Sequence, residues 1–96
     1  MRRAGRTDAP QKAIVAALRE VGASVAITSG AGNGLPDLIV GWRGETYLLE
    51  IKDGDKPASR KRLTDAEAHF VEHWRGRPVA IVESVAEALA AIGVPA

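Results

Sequence analysis

Leu35-Pro36-Asp37-Leu38-Ile39-Val40-Gly41-Trp42-Arg43-Gly44-Glu45-Thr46-Tyr47-Leu48-Leu49-Glu50-Ile51-Lys52 reads as two strands joined by a tight turn. If the hairpin is centred between Arg43 and Gly44, paired residues have numbers that sum to 87, and Asp37 falls opposite Glu50. Directly opposed residues have Cβ atoms roughly 5 Å apart on one face of a sheet. Two carboxylates that close repel each other unless a proton or a cation lies between them. The pairing therefore predicts a site for a divalent metal. A one-residue change in the turn would separate the pair, so the prediction requires a two- or four-residue loop.

Side-chain alternation supports this register. With a period of two, Asp37, Ile39 and Gly41 share a face with Thr46, Leu48, Glu50 and Lys52, while Leu38, Val40 and Trp42 share the other with Tyr47, Leu49 and Ile51. Both faces are largely apolar, the pattern of a central sheet covered on both sides. The charged residues interrupt the stripe of Ile39 and Leu48, where a solvated hairpin would turn its carboxylates outward.

Outward from the hairpin the chain alternates helical and extended patterns. Asp8 is placed to cap a helix from about 9 to 21, with Pro10 tolerated in its first turn, Ile14, Val15, Leu18 and Val21 on its apolar face and Gly22 ending it. Ser24 to Thr28 reads as a short strand and Ser29 to Gly34 as a glycine-rich loop. Thr64-Asp65-Ala66-Glu67 and Ser84-Val85-Ala86-Glu87 are capping-box patterns that each open a helix. The apolar run from Pro78 to Val82 between them reads as a strand. The expected order is α-β-β-β-α-β-α, a mixed central sheet with helices on both faces.

Ninety-six residues, 46% hydrophobic and 26% charged, describe one domain, expected to span 8–93 behind a basic arm at 1–7 that carries Arg2, Arg3 and Arg6. The absence of cysteine excludes disulfides and thiolate metal sites. The N-terminal residues are not followed by an apolar core and no apolar run approaches membrane-spanning length, so neither a signal peptide nor a membrane segment is expected and the cytoplasm is the default. A net charge of +1 is modest for a nucleic-acid-binding protein, but Lys56, Arg60, Lys61 and Arg62 cluster just after the strand that carries Glu50 and Lys52. That position favours phosphate binding over a merely solvated loop.

Pro36-Asp37, then Glu50-Ile51-Lys52 across a hairpin, resembles the PD-(D/E)XK nuclease superfamily. The wider run Gly34 to Gly41, followed by Leu49-Glu50-Ile51-Lys52-Asp53-Gly54 and by Leu63-Thr64 opening a helix, is similar to its small stand-alone VRR-NUC-type members, often found in bacteriophages. The likeness covers residues 8 to 92. It implies a restriction-endonuclease-like core in which Asp37 and Glu50, with the backbone carbonyl of Ile51, hold Mg²⁺ or Mn²⁺ and Lys52 assists the attacking water. Related nucleases often place a glutamate or glutamine on the first helix near the metal, which makes Gln11 a candidate and Glu20 its competitor. A solvated glutamine is the alternative. Where relatives carry a glutamine in the helix after Leu63-Thr64, this chain has Glu67-Ala68-His69.

The resulting expectation is a metal-dependent DNA endonuclease that hydrolyses phosphodiesters. Lys56, Arg60, Lys61 and Arg62 would contact DNA. A chain this small covers few base pairs, and phosphate contacts carry no sequence information, so structure-selective cutting of junctions or branches by a homodimer, as in Holliday junction resolvase-like relatives, is expected over sequence-specific restriction. The alternative is a catalytically inactive nucleic-acid-binding module with the same fold.

Two other motifs point elsewhere. Gly30-Ala31-Gly32-Asn33-Gly34 lacks the Gly-Lys-Ser/Thr ending of a P-loop and feeds a strand rather than a helix, so it is expected to be a mobile connection. His69-Phe70-Val71-Glu72-His73 matches the H-x-x-E-H pattern of inverted zinc peptidases, but no clear third ligand follows except Glu83 or Glu87. A surface histidine pair, with Phe70 and Trp74 on the packed side, is the simpler account.

Overall fold

The computed structural model describes residues 10–54 and 62–95. The hairpin forms in the expected register. Strand β2 (Leu38–Trp42) pairs antiparallel with β3 (Glu45–Ile51), from Trp42↔Glu45 at the turn to Leu38↔Leu49 at the open end. The two loop residues, Arg43 and Gly44, both take positive φ (51° and 81°). That is the signature of a type I′ turn, whose twist matches the flanking strands. The Arg43 guanidinium lies 4.3 Å from the centroid of the Trp42 ring, a cation–π contact over the bend.

Strand β1 (Ser24–Ile27) pairs antiparallel along the other side of β2, and β4 (Ala80–Val82) pairs parallel with β3, giving the sheet order β1-β2-β3-β4. Parallel strands need a crossover, and that crossover includes helix α2 (Asp65–His73). Helices α1 (Gln11–Glu20) and α3 (Val85–Ala91) complete the described elements. The order along the chain is α-β-β-β-α-β-α, as expected.

The core lies on one face of the sheet. Leu38, Val40, Leu49 and Ile51 are sealed under Ile14 and Leu18 of α1 and Ala88 of α3, with Val82 and Ile92 closing the cluster. Both helices end in Schellman motifs: Gly22 (φ 97°) and Gly93 (φ 92°) stand just past the C-caps, and the next N–H reaches back to Leu18 and Leu89 respectively. The opposite face is covered unevenly. Leu48, Glu50 and Lys52 are buried there, yet Ile81, beside Glu50, is 46% exposed and α2 buries none of its residues. The expectation of helices on both faces is thus met by a full layer on one side and by a loosely seated α2 at one end of the other.

Several boundaries differ from the sequence pattern. Asp8 lies outside the described residues; α1 starts at Gln11 behind Pro10, with no side-chain cap bond. Thr64 and Glu67 form a complete capping box. Ser84 caps α3 through the Glu87 N–H, but the Glu87 carboxylate accepts from the Glu83 N–H at 2.7 Å, one residue too early for the reciprocal bond. Gly34 has φ 77°, and a Cβ there would overlap the Ala66 carbonyl. The glycine loop therefore lets the first turn of α2 approach the β1–β2 connection.

Candidate functional site

Asp37 stands one residue before β2, where the register continues to Glu50. Its carbonyl accepts from the N–H groups of Thr28 (2.8 Å) and Ser29 (3.1 Å), fastening the β1–β2 loop across the strand ends. Its carboxylate Oδ2 accepts from the Ile51 N–H at 2.7 Å. A charge-assisted bond of this length fixes the carboxylate against β3. Ile51 joins the site through this N–H; the role implied for it by the resemblance concerned its carbonyl.

Glu50 and Lys52 follow at alternate positions of β3 and its end, so they share the face on which Ile51 does not lie. Glu50 is only 3% exposed. The Lys52 ammonium lies 3.5 Å from Glu50 Oε2 and 3.0 Å from Oε1 of Glu67, in the first turn of α2. Glu67 Oε1 also accepts from the Thr64 N–H at 2.8 Å. Three carboxylates and one lysine thus gather at the open end of the hairpin, where the β1–β2 loop, β3 and α2 meet.

The electrostatics follow from burial and crowding. Burial pushes the Glu50 carboxyl up to about 8; the charge of Asp37, a proton shared with Glu67 and the charge of Glu67 push the same way, and Lys52 only partly opposes them. Burial beside these charges favours the protonated form of Glu50 when no cation is present. Burial alone would pull the Lys52 ammonium down, but its bonds to Glu67 and Glu50 outweigh this and hold it above the ordinary lysine value. Burial likewise works against the Glu67 carboxylate, which the Thr64 N–H and Lys52 nonetheless hold below the ordinary value.

Asp37 and Glu50 offer the hard oxygen donors that Mg²⁺ and Mn²⁺ prefer. Among the described residues no three His, Cys, Asp or Glu side chains form a ready-made metal cage. Mg²⁺ does not require one, because it is commonly bound by one or two carboxylates with waters and substrate phosphates completing its shell. A buried carboxyl driven to protonation by its neighbours is also what an added cation would reverse. The residues fit the metal.

The other sequence candidates lie at different distances from this cluster. Gln11 is 4% exposed rather than solvated, and its Nε2 donates to Ser29 Oγ at 3.1 Å. It thereby ties α1 to the loop that holds Asp37. Glu20, at the far end of α1, is exposed. Arg62 is exposed two residues before the cap of α2, while Lys56, Arg60, Lys61 and the arm with Arg2, Arg3 and Arg6 lie outside the described residues. His69 and His73 stack at 4.1 Å on the exposed side of α2, and the His73 Nδ1–H donates to the His69 carbonyl. Phe70 and Trp74 stack on each other, with Trp74 45% exposed, so they do not pack into the core as expected.

Glu67 is the member of the cluster that the sequence pattern does not reveal. Its spacing from Thr64 announces a helix start, and the helix start is real. Nothing in the fifteen-residue separation from Lys52 announces the ion pair. Among the described residues no helix is long and apolar enough to cross a membrane. Compared with known protein families, with curated proteins and with solved structures, the chain matches none.

Proposed function

We propose that this chain is a Mg²⁺- or Mn²⁺-dependent DNA endonuclease with a restriction-endonuclease-like core, acting as a homodimer on branched or junction DNA. The observation that carries the reading is the buried Glu50 carboxyl, set against the Asp37 carboxylate and flanked by Lys52 at 3.5 Å. Burying opposed carboxylates costs stability, and such costs are concentrated at functional sites. Asp37, fixed by the Ile51 N–H, and Glu50 would hold the ion. When bound, a divalent ion polarises the scissile phosphate and lowers the pKa of a coordinated water. Lys52 orients the nucleophile and faces the charge that develops on the phosphate in the transition state. The basic residues from Lys56 to Arg62 hold the DNA backbone.

Purified protein incubated with Mn²⁺ or Mg²⁺ and a panel of linear, flapped, splayed and four-way DNAs should cut at least the branched substrates and stop with EDTA. No cleavage of any member would sink the reading. One feature supports a second reading, a catalytically silent nucleic-acid-binding module: Lys52, Glu67 and the proton on Glu50 satisfy the cluster without a metal. Such a module would retain DNA equally with Mg²⁺ and with EDTA.

A further inference from the structure

Glu67 belongs to two hydrogen-bond systems at once. As the third residue of α2 it closes the capping box, its Oε1 accepting from the Thr64 N–H at 2.8 Å and its own N–H donating to Thr64 Oγ1 at 3.1 Å. The same Oε1 accepts from Lys52 Nζ at 3.0 Å. Hydrophobic packing does little to place α2, since none of its residues is buried. Its first turn is instead located by the close approach of Ala66 to Gly34 and by the Glu67–Lys52 pair. A lysine side chain is long and rotamer-rich, and a single carboxylate at 3.5 Å is a loose tether. The capping box makes Glu67 a rigid one, because its carboxylate is already oriented by the backbone of the helix start.

We propose that Glu67 is the positioning residue for Lys52: the helix cap fixes the carboxylate, and the carboxylate fixes the ammonium beside Glu50. The consequence for turnover rests on the nuclease reading above; the consequence for the lysine's accessibility does not. A role confined to capping would leave Lys52 indifferent to Glu67, so the two roles separate by mutation. Thr64→Ala removes the hydroxyl cap but keeps the residue-64 N–H for Glu67. Glu67→Gln keeps an acceptor for both donors. Glu67→Ala removes the acceptor altogether.

The metal-free variants are treated with limiting acetic anhydride, and acetylation of Lys52 is followed by peptide mass spectrometry against exposed Lys12 as the internal reference. Lys52 should react slowly in wild type and in Thr64→Ala, faster in Glu67→Gln, and at a rate approaching that of Lys12 in Glu67→Ala. In Mn²⁺-dependent cleavage, Glu67→Ala should lower kcat by about 10- to 100-fold with little change in KM, as expected for a misplaced catalytic group. Glu67→Gln should recover most of that loss, and Thr64→Ala should stay near wild type. Unchanged Lys52 acetylation in Glu67→Ala, or equal acetylation in Glu67→Ala and Thr64→Ala, overturns the proposal. Should no variant and no wild-type sample cut DNA, the acetylation pattern still decides the positioning role, and only the nuclease reading fails.

Discussion

The state of Glu50 can be tested without any substrate. Its carboxyl is raised to about 8 in the folded chain against an ordinary value of 4.5, because it is buried beside Asp37 of the β1–β2 loop and Glu67 of α2, with Lys52 just past β3 compensating only in part. Between those two values the folded chain keeps a proton that the unfolded chain has released. Stability of the metal-free protein therefore falls as pH rises through this window, by up to about 1.4 kcal/mol per unit. Glu67 is displaced downward and Lys52 upward, so their contributions are lost below pH 4.5 and above pH 10.5 respectively, outside the interval from 5 to 7.5. Glu50→Gln places a permanently neutral group of the same shape in the site. From pH 5 to pH 7.5 the stability of the variant relative to wild type should grow by about 3 kcal/mol, one pH-unit increment at a time. Urea unfolding of both proteins in EDTA at pH 5, 6 and 7.5 measures it. Mn²⁺ at about a hundred times its dissociation constant should restore about 2.7 kcal/mol to wild type at pH 7.5 and markedly less to Glu50→Gln. A difference between the two proteins that stays constant with pH would refute the crowding of carboxylates at this end of the hairpin.

Three further outcomes separate the remaining residues. Asp37→Ala and Glu50→Ala should each abolish Mn²⁺-dependent cleavage, but only Asp37→Ala should cost the metal-free fold, by about 1–3 kcal/mol, because it orphans the Ile51 N–H; Asp37→Asn, which keeps an acceptor and removes the charge beside Glu50, should lose cleavage without that cost, measured by thermal unfolding and nicking assays. Lys52→Ala should retain DNA and metal binding while losing turnover, and Lys52→Arg should be poor as well, since a planar guanidinium does not replace a compact ammonium; an equal loss of binding and rate in titrations and single-turnover assays would make the lysine structural. Neutralising Arg60, Lys61 and Arg62 together should weaken binding alike across DNA sequences and reduce the log–log salt slope by up to about three units; an unchanged slope would leave Arg2, Arg3 and Arg6 as the better candidates.

The hairpin was legible because two independent constraints agree on one register. Arg43-Gly44 supplies the positive-φ dipeptide that a two-residue loop needs, and the period-two alternation puts Leu38, Val40, Leu49 and Ile51 on a common face only if that loop is used. The cap at Thr64 was legible for a similar reason, since its partners lie within four residues. Contacts between elements were not. The pairing of Lys52 with Glu67 and the overlap that reserves position 34 for glycine depend on where α2 docks, and α2 carries no buried stripe from which to read that docking. Gln11 shows the same limit from the other side: its spacing suits a solvated first turn, yet the loop that folds back through Ser29 buries it.

Asp37 connects the fold to the site. The ladder between β2 and β3 stops at Leu38↔Leu49, and at the next step the aspartate offers a side-chain carboxylate to the Ile51 N–H while its own carbonyl receives two N–H groups from the β1–β2 loop. One residue thus ends the hairpin, fastens the loop and delivers a charge beside Glu50. A neutral hydrogen-bonding side chain at this position would serve the first two purposes and would lower the cost of burying Glu50. The carboxylate is the more expensive choice for stability alone. Under the proposed nuclease function, that charge beside Glu50 is what a bound cation would share.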